Sequence, residues 1–166
     1  MTVDEQAFKA VMARWTTGIT VVTAADGDQR QGVTVNAFAS VSLQPALVMV
    51  SIDHKLVLHD LIDRGQAFAV NLLSAEQLDW GMLFAGMTGD IDNRFAGIEV
   101  QTAITGSPLL PNTLGWLDCE VRHTYSVSDH TLFIGEVMAA DTPHTAPPLA
   151  YHNRRWGSFI PLPADE

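Results

Sequence analysis

The segment GVTVNAFASVSLQPALVMVSID, Gly32 to Asp53, gathers small side chains that can hydrogen-bond. Thr34, Asn36, Ser40 and Ser42 offer hydroxyls and an amide, and Ala37 leaves the backbone open to close approach. N–H groups beside such side chains suit a polar heterocycle or a phosphate. An ordinary Ser/Thr-decorated strand pair would have the same composition. A second set is Asp53-His54-Lys55, just ahead of a helical pattern. A helix N-terminus after a strand carries partial positive charge, to which Lys55 adds a full one unless it is simply solvated. A third is Ser128-Asp129-His130-Thr131, where turn residues place His130 at a strand entrance rather than on an apolar face, as a ligand contact or, with Asp129, as a stabiliser of the turn. A fourth is Tyr151, His152, Arg154, Arg155 and Trp156: an arginine grips phosphate bidentately and an aromatic stacks on a planar ring. A C-terminal strand with charged outer positions accounts for part of this set equally well.

Val33 and Val35 alternate with Thr34 and Asn36, the period of a half-buried strand. Ala46 to Ile52 is nearly all apolar, as in a strand covered on both faces. An irregular crossing joins the two, with a turn at Gln44-Pro45. Upstream, Thr2 to Trp15 reads as a helix with a Thr2/Glu5 capping box and a packing face of Phe8, Val11, Met12 and Trp15. Ile19 to Thr23 is a strand, and Asp26-Gly27 marks a hairpin turn. Leu56 to Arg64 is a short helix stopped by Gly65. Phe68 to Leu73 is a strand in which Asn71, if buried, needs partners. Ser74 and Gln77 open a helix through Leu83. Gly86 to Gly97 is a solvated loop; Asp90 and Asp92 lack a convincing further metal-ligand set. Thr113 to Tyr125 is a strand with Leu117, Cys119 and Val121 on one face and Trp116, Asp118 and Glu120 on the other. Cys119 is an inert core residue. Leu132 to Met138 is a strand, and Pro147-Pro148 breaks the chain before Leu149 to Phe159.

At 166 residues the chain reads as one domain, 1–166. Its 47% hydrophobic and 17% charged residues describe a globular protein with an apolar surface, as oligomers have. A formal net charge of −10 with no Lys/Arg cluster disfavours nucleic acid and anionic membrane as partners. One cysteine excludes an intramolecular disulfide, and neither a signal segment nor a membrane-length apolar run appears. The expected location is the cytoplasm. No G-x-G-x-x-G, P-loop, G-x-S-x-G or H-E-x-x-H motif is present. His54 and His59 do not share a helix face squarely. Short strands and hairpin signals point to a closed antiparallel sheet.

T-V-N-A-F-A-S-V-S, Thr34 to Ser42, followed by Pro45 and V-M-V-S-I, resembles the signature of the flavin reductase family with the FMN-binding split-barrel fold. S-D-H-T-L-F-I-G-E-V, Ser128 to Val137, resembles that family's nicotinamide-side motif. The likeness spans roughly Phe8 to Phe159 and is strongest to the small reductases of styrene-type and phenol-type two-component monooxygenases. It implies a mainly β, antiparallel split β-barrel with a few peripheral α-helices. It also implies a homodimer, FMN or FAD near the subunit interface, NADH or NADPH as hydride donor, and an oxygenase partner that receives reduced flavin. On this likeness Thr34, Val35, Asn36, Ala37, Ser40, Val41, Ser42 and Ser51 hold the flavin ring and ribityl chain. Asp53, His54 and Lys55 lie near its phosphate, Asn71 is on a strand beside it, and Arg94-Phe95 are near the ring. His130, with Tyr151, His152, Arg155 and Trp156, contacts the nicotinamide nucleotide. No side chain need act as nucleophile or base, since the cofactors carry the hydride chemistry. The family usually places serine or threonine where Lys55, Leu56 and Val57 stand, so the choice between FMN and FAD stays open. Two other classes share the barrel: flavin carriers or haem-binding relatives, and pyridoxamine-phosphate oxidase-like enzymes. The downstream motif argues against the last.

Overall fold

The computed structural model describes residues 3–89 and 91–162. Helix α1, Glu5–Met12, starts at Asp4, whose carboxylate accepts the Ala7 N–H at 3.0 Å. Thr2, the expected cap, lies outside the described residues. The apolar face of α1 does not pack as expected: Phe8, Val11, Met12 and Trp15 are exposed, Trp15 by 68%. No other described element covers it.

Strands β1, Thr17–Gly18, β2, Thr20–Asp26, and β3, Gln29–Val35, follow. The β2–β3 hairpin closes at Gly27, whose left-handed φ of +57° glycine adopts without strain. The presumed irregular crossing is itself a strand, β4, Phe38–Leu43, paired with β5, Ala46–Asp53, through a cis Gln44-Pro45 bond. Along β5 buried positions alternate with half-buried ones, so this strand is not covered on both faces as expected. Helix α2, Val57–Gly65, ends at left-handed Gln66 rather than at Gly65. Strand β6, Ala67–Leu72, leads through a 3₁₀ turn, Ala75–Gln77, into α3, Leu78–Phe84. Gln77 accepts the Ser74 N–H at 3.1 Å, the expected start signal. Two long strands complete the main sheet, β7, Gly115–Val127, and β8, His130–Asp141. The chain then returns through β9, Leu149–His152, and β10, Arg155–Ser158. The expected single C-terminal strand is thus a hairpin, turned at Asn153 and Arg154 with φ of 49° and 59°.

All strand pairs are antiparallel. The seven-stranded sheet runs β3-β2-β6-β7-β8-β5-β4, and β1-β9-β10 form a smaller one. β3 and β4 stand at opposite ends of that order, yet only Asn36 and Ala37 separate them. Consecutive Cα atoms are about 3.8 Å apart, so Val35 and Phe38 lie within about 11 Å. The sheet must therefore curl until its ends meet. The seam is not a strand pair, and near it the Ser51 N–H donates to the Ala37 carbonyl at 3.1 Å. This is an antiparallel split β-barrel.

Alternation along β2 sorts the core. Val22 joins Val35, Val50, Ile52, Phe68, Val70 and Phe133 with Leu58, Leu61 and Ile62 of α2. Val21 faces the other way, with Ile19, Leu73, Phe84, Leu110 and Leu149. A bulge between Asp118 and Cys119 breaks the expected alternation of β7 and buries both. Asp118 consequently accepts from the Thr105 N–H at 2.8 Å and from the Thr105 hydroxyl, fixing that loop. Burial, then the neighbouring Asp118 charge, pushes the Cys119 thiol up to about 12.

A Cβ on Gly135 would sit 2.6 Å from the Phe68 ring and 2.9 Å from the Cys119 Cβ. Gly135→Ala is expected to destabilise the protein by about 1–3 kcal/mol, read from its urea denaturation midpoint. Cys119 should resist thiol reagents at pH 8 in the native protein and react only on unfolding; fast native labelling would contradict its burial.

Candidate flavin site

Strand β4 is the exposed edge of the main sheet. Ala39, Ser40, Val41 and Ser42 are exposed, and a register shift between Ser40 and Ser42 makes Val41 the bulged residue. The outward backbone groups of such an edge have no strand partner. Ser42 is used locally, donating to the Pro45 carbonyl at 2.6 Å. At the β3–β4 seam Asn36 is exposed, and its amide meets no hydrogen-bond partner among the described residues. Asn36 and Phe38 open onto a cavity of about 370 Å³ walled by Trp15, Thr20, Leu72 and Leu149. A larger recess of about 660 Å³ lies at the other end of β2, around Gly27 and Arg30, and touches none of these residues.

The β5–α2 loop and the β7–β8 turn form the second group. Asp53 pairs with His130, which also pairs with Val127. Asp129 accepts from the His130 ring at 2.8 Å, and the Asp129 carbonyl takes the His54 N–H at 3.0 Å. That ring bond first, and more weakly the charges of His130 and Lys55, hold the Asp129 carboxyl below its ordinary range. Asp53 accepts the Lys55 N–H at 2.9 Å through its side chain and the Leu56 N–H at 3.1 Å through its carbonyl. Three successive loop N–H groups are thus spent inside the chain. The side chain of Lys55 is exposed, and α2 starts without a side-chain cap.

The third group lies in the smaller sheet. His152 shares a 2.8 Å hydrogen bond with the Thr16 hydroxyl, and Tyr151 meets Trp156 edge-on at 5.1 Å. Arg155 is exposed. The Asn153 N–H donates to the Ala13 carbonyl at 2.7 Å, so this hairpin is tied to the end of α1. Within one chain the expected nicotinamide set is therefore divided: His130 stands in the main sheet, while Tyr151, His152, Arg155 and Trp156 stand in the small one.

Several expected contacts are corrected by burial. Asn71 is fully buried. Its amide donates to the Val21 carbonyl at 3.0 Å and accepts the Leu110 N–H at 2.8 Å, which makes it a tie between β2 and the 108–110 loop. Phe95 is core, edge-on to Phe84 at 5.2 Å with the Arg30 guanidinium 5.0 Å from its ring centre. Arg94 donates to the Phe84 carbonyl at 3.2 Å and closes the end of α3. The Val35 side chain is in the core, and Thr34 donates its hydroxyl proton to the Gly81 carbonyl at 2.7 Å. The Val35 side chain therefore faces away from any ligand at the seam, and the Thr34 hydroxyl keeps only its acceptor lone pairs free. Asp92 is exposed, and Asp90 lies outside the described residues.

With this geometry in place, comparison with known proteins decides the family. Residues 12–159 match the model of the flavin reductase like domain. The chain belongs to the flavin reductase family. It is 36% identical to the NADH-dependent flavin reductase StyB of Pseudomonas fluorescens over 164 residues, 96% of this chain and 94% of that one. Its fold is similar to that of the styrene monooxygenase flavin reductase of Pseudomonas putida, at a TM-score of 0.82 and 35% identity, covering 94% and 98% of the two chains. The NADH:FAD oxidoreductase of Streptomyces globisporus, solved in complex with NAD and FAD fragments, gives 0.87 and 30%, covering 99% of each chain.

The residues of this flavin reductase family member fit a flavin at the seam. An exposed amide, an open strand edge with serine hydroxyls and a partly apolar cavity are what an amphipathic heterocycle needs. Two further residues stand beside the expected ones. Phe38 walls the cavity beside Asn36, and its place inside the motif was the available signal. Thr131 is buried, and its hydroxyl meets the rings of His54 and His59. No sequence spacing announces that cluster. Asn36→Leu is expected to weaken flavin binding by about tenfold, the scale of a lost hydrogen bond, with an unchanged unfolding midpoint. Fluorescence titration with FMN and FAD checks it, and a lower midpoint would make Asn36 structural instead.

Proposed function

We propose that this protein is an NADH-dependent flavin reductase that supplies reduced flavin to a partner monooxygenase and acts as a single-domain homodimer. The observation that carries the reading is the exposed strand edge Ala39 to Ser42, with the Asn36 amide, beside a ligand-sized cavity, in a chain whose family match spans 12–159. The two cofactors supply the hydride chemistry when bound. The protein's part is to stack them in reacting geometry and to leave the flavin ring accessible.

Asn36, Ala37, Ser40 and Val41 hold the flavin through the Asn36 amide and edge backbone groups. The phosphate leans on Lys55 and the start of α2, because the N–H groups of His54, Lys55 and Leu56 are already used. His130 meets the nicotinamide nucleotide. A homodimer accounts for three surfaces one chain leaves open: the apolar face of α1, β4 from Ala39 to Leu43, and β7 from Arg122 to Val127, exposed whichever way its residues point. It also offers a way to unite the divided nicotinamide set. A stable dimer of this kind buries apolar surface that would otherwise face water. Among the described residues no helix is long and apolar enough to cross a membrane.

The test is NADH oxidation in air by the purified protein with FMN, FAD or no added flavin. Turnover that needs added flavin, faster with one of the two, is the expected result. Flavin binding without turnover with either nicotinamide would leave a flavin carrier. His130→Ala should raise the KM for NADH about tenfold with little change in the Kd for flavin. Equal effects on both constants would remove His130 from the nicotinamide side.

A further inference from the structure

The loop carrying Lys55 and the strand end carrying His130 are joined through one buried hydroxyl. Thr131 is 3% exposed. Its Oγ1 lies 3.0 Å from His54 Nε2 and 2.9 Å from His59 Nε2. The two rings meet edge-on at 5.1 Å, and His59 packs against Phe133 at 5.5 Å. A hydroxyl has one proton, so it donates to one neutral ring and accepts from the other. Asp60 decides the direction. Its carboxylate is 3.3 Å from His59 Nδ1 and only accepts, so His59 carries its proton on Nδ1. His59 Nε2 then accepts the Thr131 O–H, and the Thr131 oxygen accepts the Nε2–H of His54. The chain of donors runs His54, Thr131, His59, Asp60, from the β5–α2 loop through β8 into α2.

We propose that Thr131 is a positioning residue, clasping His54 and His59 so that Lys55 and His130 stand at fixed separation beside the cofactors. This rests on the reading above that those two residues face the flavin phosphate and the nicotinamide. His130 adjoins Thr131 in β8, and Lys55 adjoins His54 in the loop. Two backbone ties also join the segments, the β5–β8 ladder that sets Asp53 opposite His130 and the His54 N–H to the Asp129 carbonyl at 3.0 Å. The clasp adds a fixed position for the His54 and His59 side chains themselves. Two binding groups on separate segments act together only when their spacing is held, which is what a fixed hydrogen-bonded bridge provides.

Two measurements on the intact protein test this. Nitrogen-15 NMR of the imidazoles should show His59 protonated on Nδ1 and His54 on Nε2. Thr131→Val removes the hydroxyl and keeps the β-branch. It should raise the KM for NADH and the Kd for flavin together, about tenfold, with kcat within about twofold of the parent. Thr131→Ser should restore both constants, which repair of packing alone would not do. The same tautomer on both rings overturns the clasp. Correct tautomers with unchanged constants in Thr131→Val, or no rescue by serine, overturn its positioning role. If Thr131→Val does not fold, Thr131→Ser with unaltered tautomers and constants remains the expected result, and a serine variant that loses either overturns the proposal. Unchanged constants in both His130→Ala and Lys55→Ala overturn the site reading beneath it, whatever the tautomers show.

Discussion

The short link Asn36-Ala37 governs the molecule. It joins the first and last strands of the sheet order β3-β2-β6-β7-β8-β5-β4, so the sheet has to close on itself. Closure removes most free edges, the usual hazard of an antiparallel sheet. It leaves one seam, and the chain places its small polar residues there. Ser40 and Ser42 alternate there with the exposed apolar Val41 and Leu43, so the edge offers both polar and apolar contacts. The unpaired backbone groups that make an edge hazardous are the groups that can hold a polar heterocycle.

Closure also dictates the core. One face of the curled sheet packs on α2 and the other on α3 and the loops, and the side-chain alternation of β2 divides Val22 from Val21 between them. Three buried polar devices fix the layers: Asn71 between β2 and the 108–110 loop, Asp118 on Thr105, and Thr131 between two histidines. Leaving a buried polar group unpaired costs about 1–3 kcal/mol, whereas exposed ion pairs such as Arg64–Asp26 contribute about 0–1 kcal/mol. The buried bonds therefore set the layer geometry, and the surface pairs do not. Gly135 serves the same end by absence, since only a hydrogen leaves room for the Phe68 ring.

Much of this was legible in the sequence. The Asp26-Gly27 turn, the α2 and α3 signals, the β7–β8 hairpin and the polar motif at Asn36 all follow from local rules, because turn residues and hydrophobic period act over a few positions. Errors arose where long-range packing decides. The apolar face of α1 reads as core because periodicity records amphipathicity but not what covers it. Asn71 and Phe95 read equally as ligand contacts or as core, because position near a motif says nothing of burial. Asp118 reads as an outward residue because a one-residue bulge shifts the alternation, and no local signal marks it.

By itself the sequence determined the strand-rich pattern, the family and the candidate binding segments. It could do so because residue type, turn chemistry and side-chain period are properties of neighbours along the chain. Only the tertiary structure decided which of those segments meet. It set His130 beside Asp53, put the Tyr151-to-Trp156 hairpin in another sheet, and brought Thr131 to His54 and His59. The physical reason is that strand register and barrel closure join residues more than seventy positions apart, as in the His59–Thr131 contact, through interactions that no local spacing encodes.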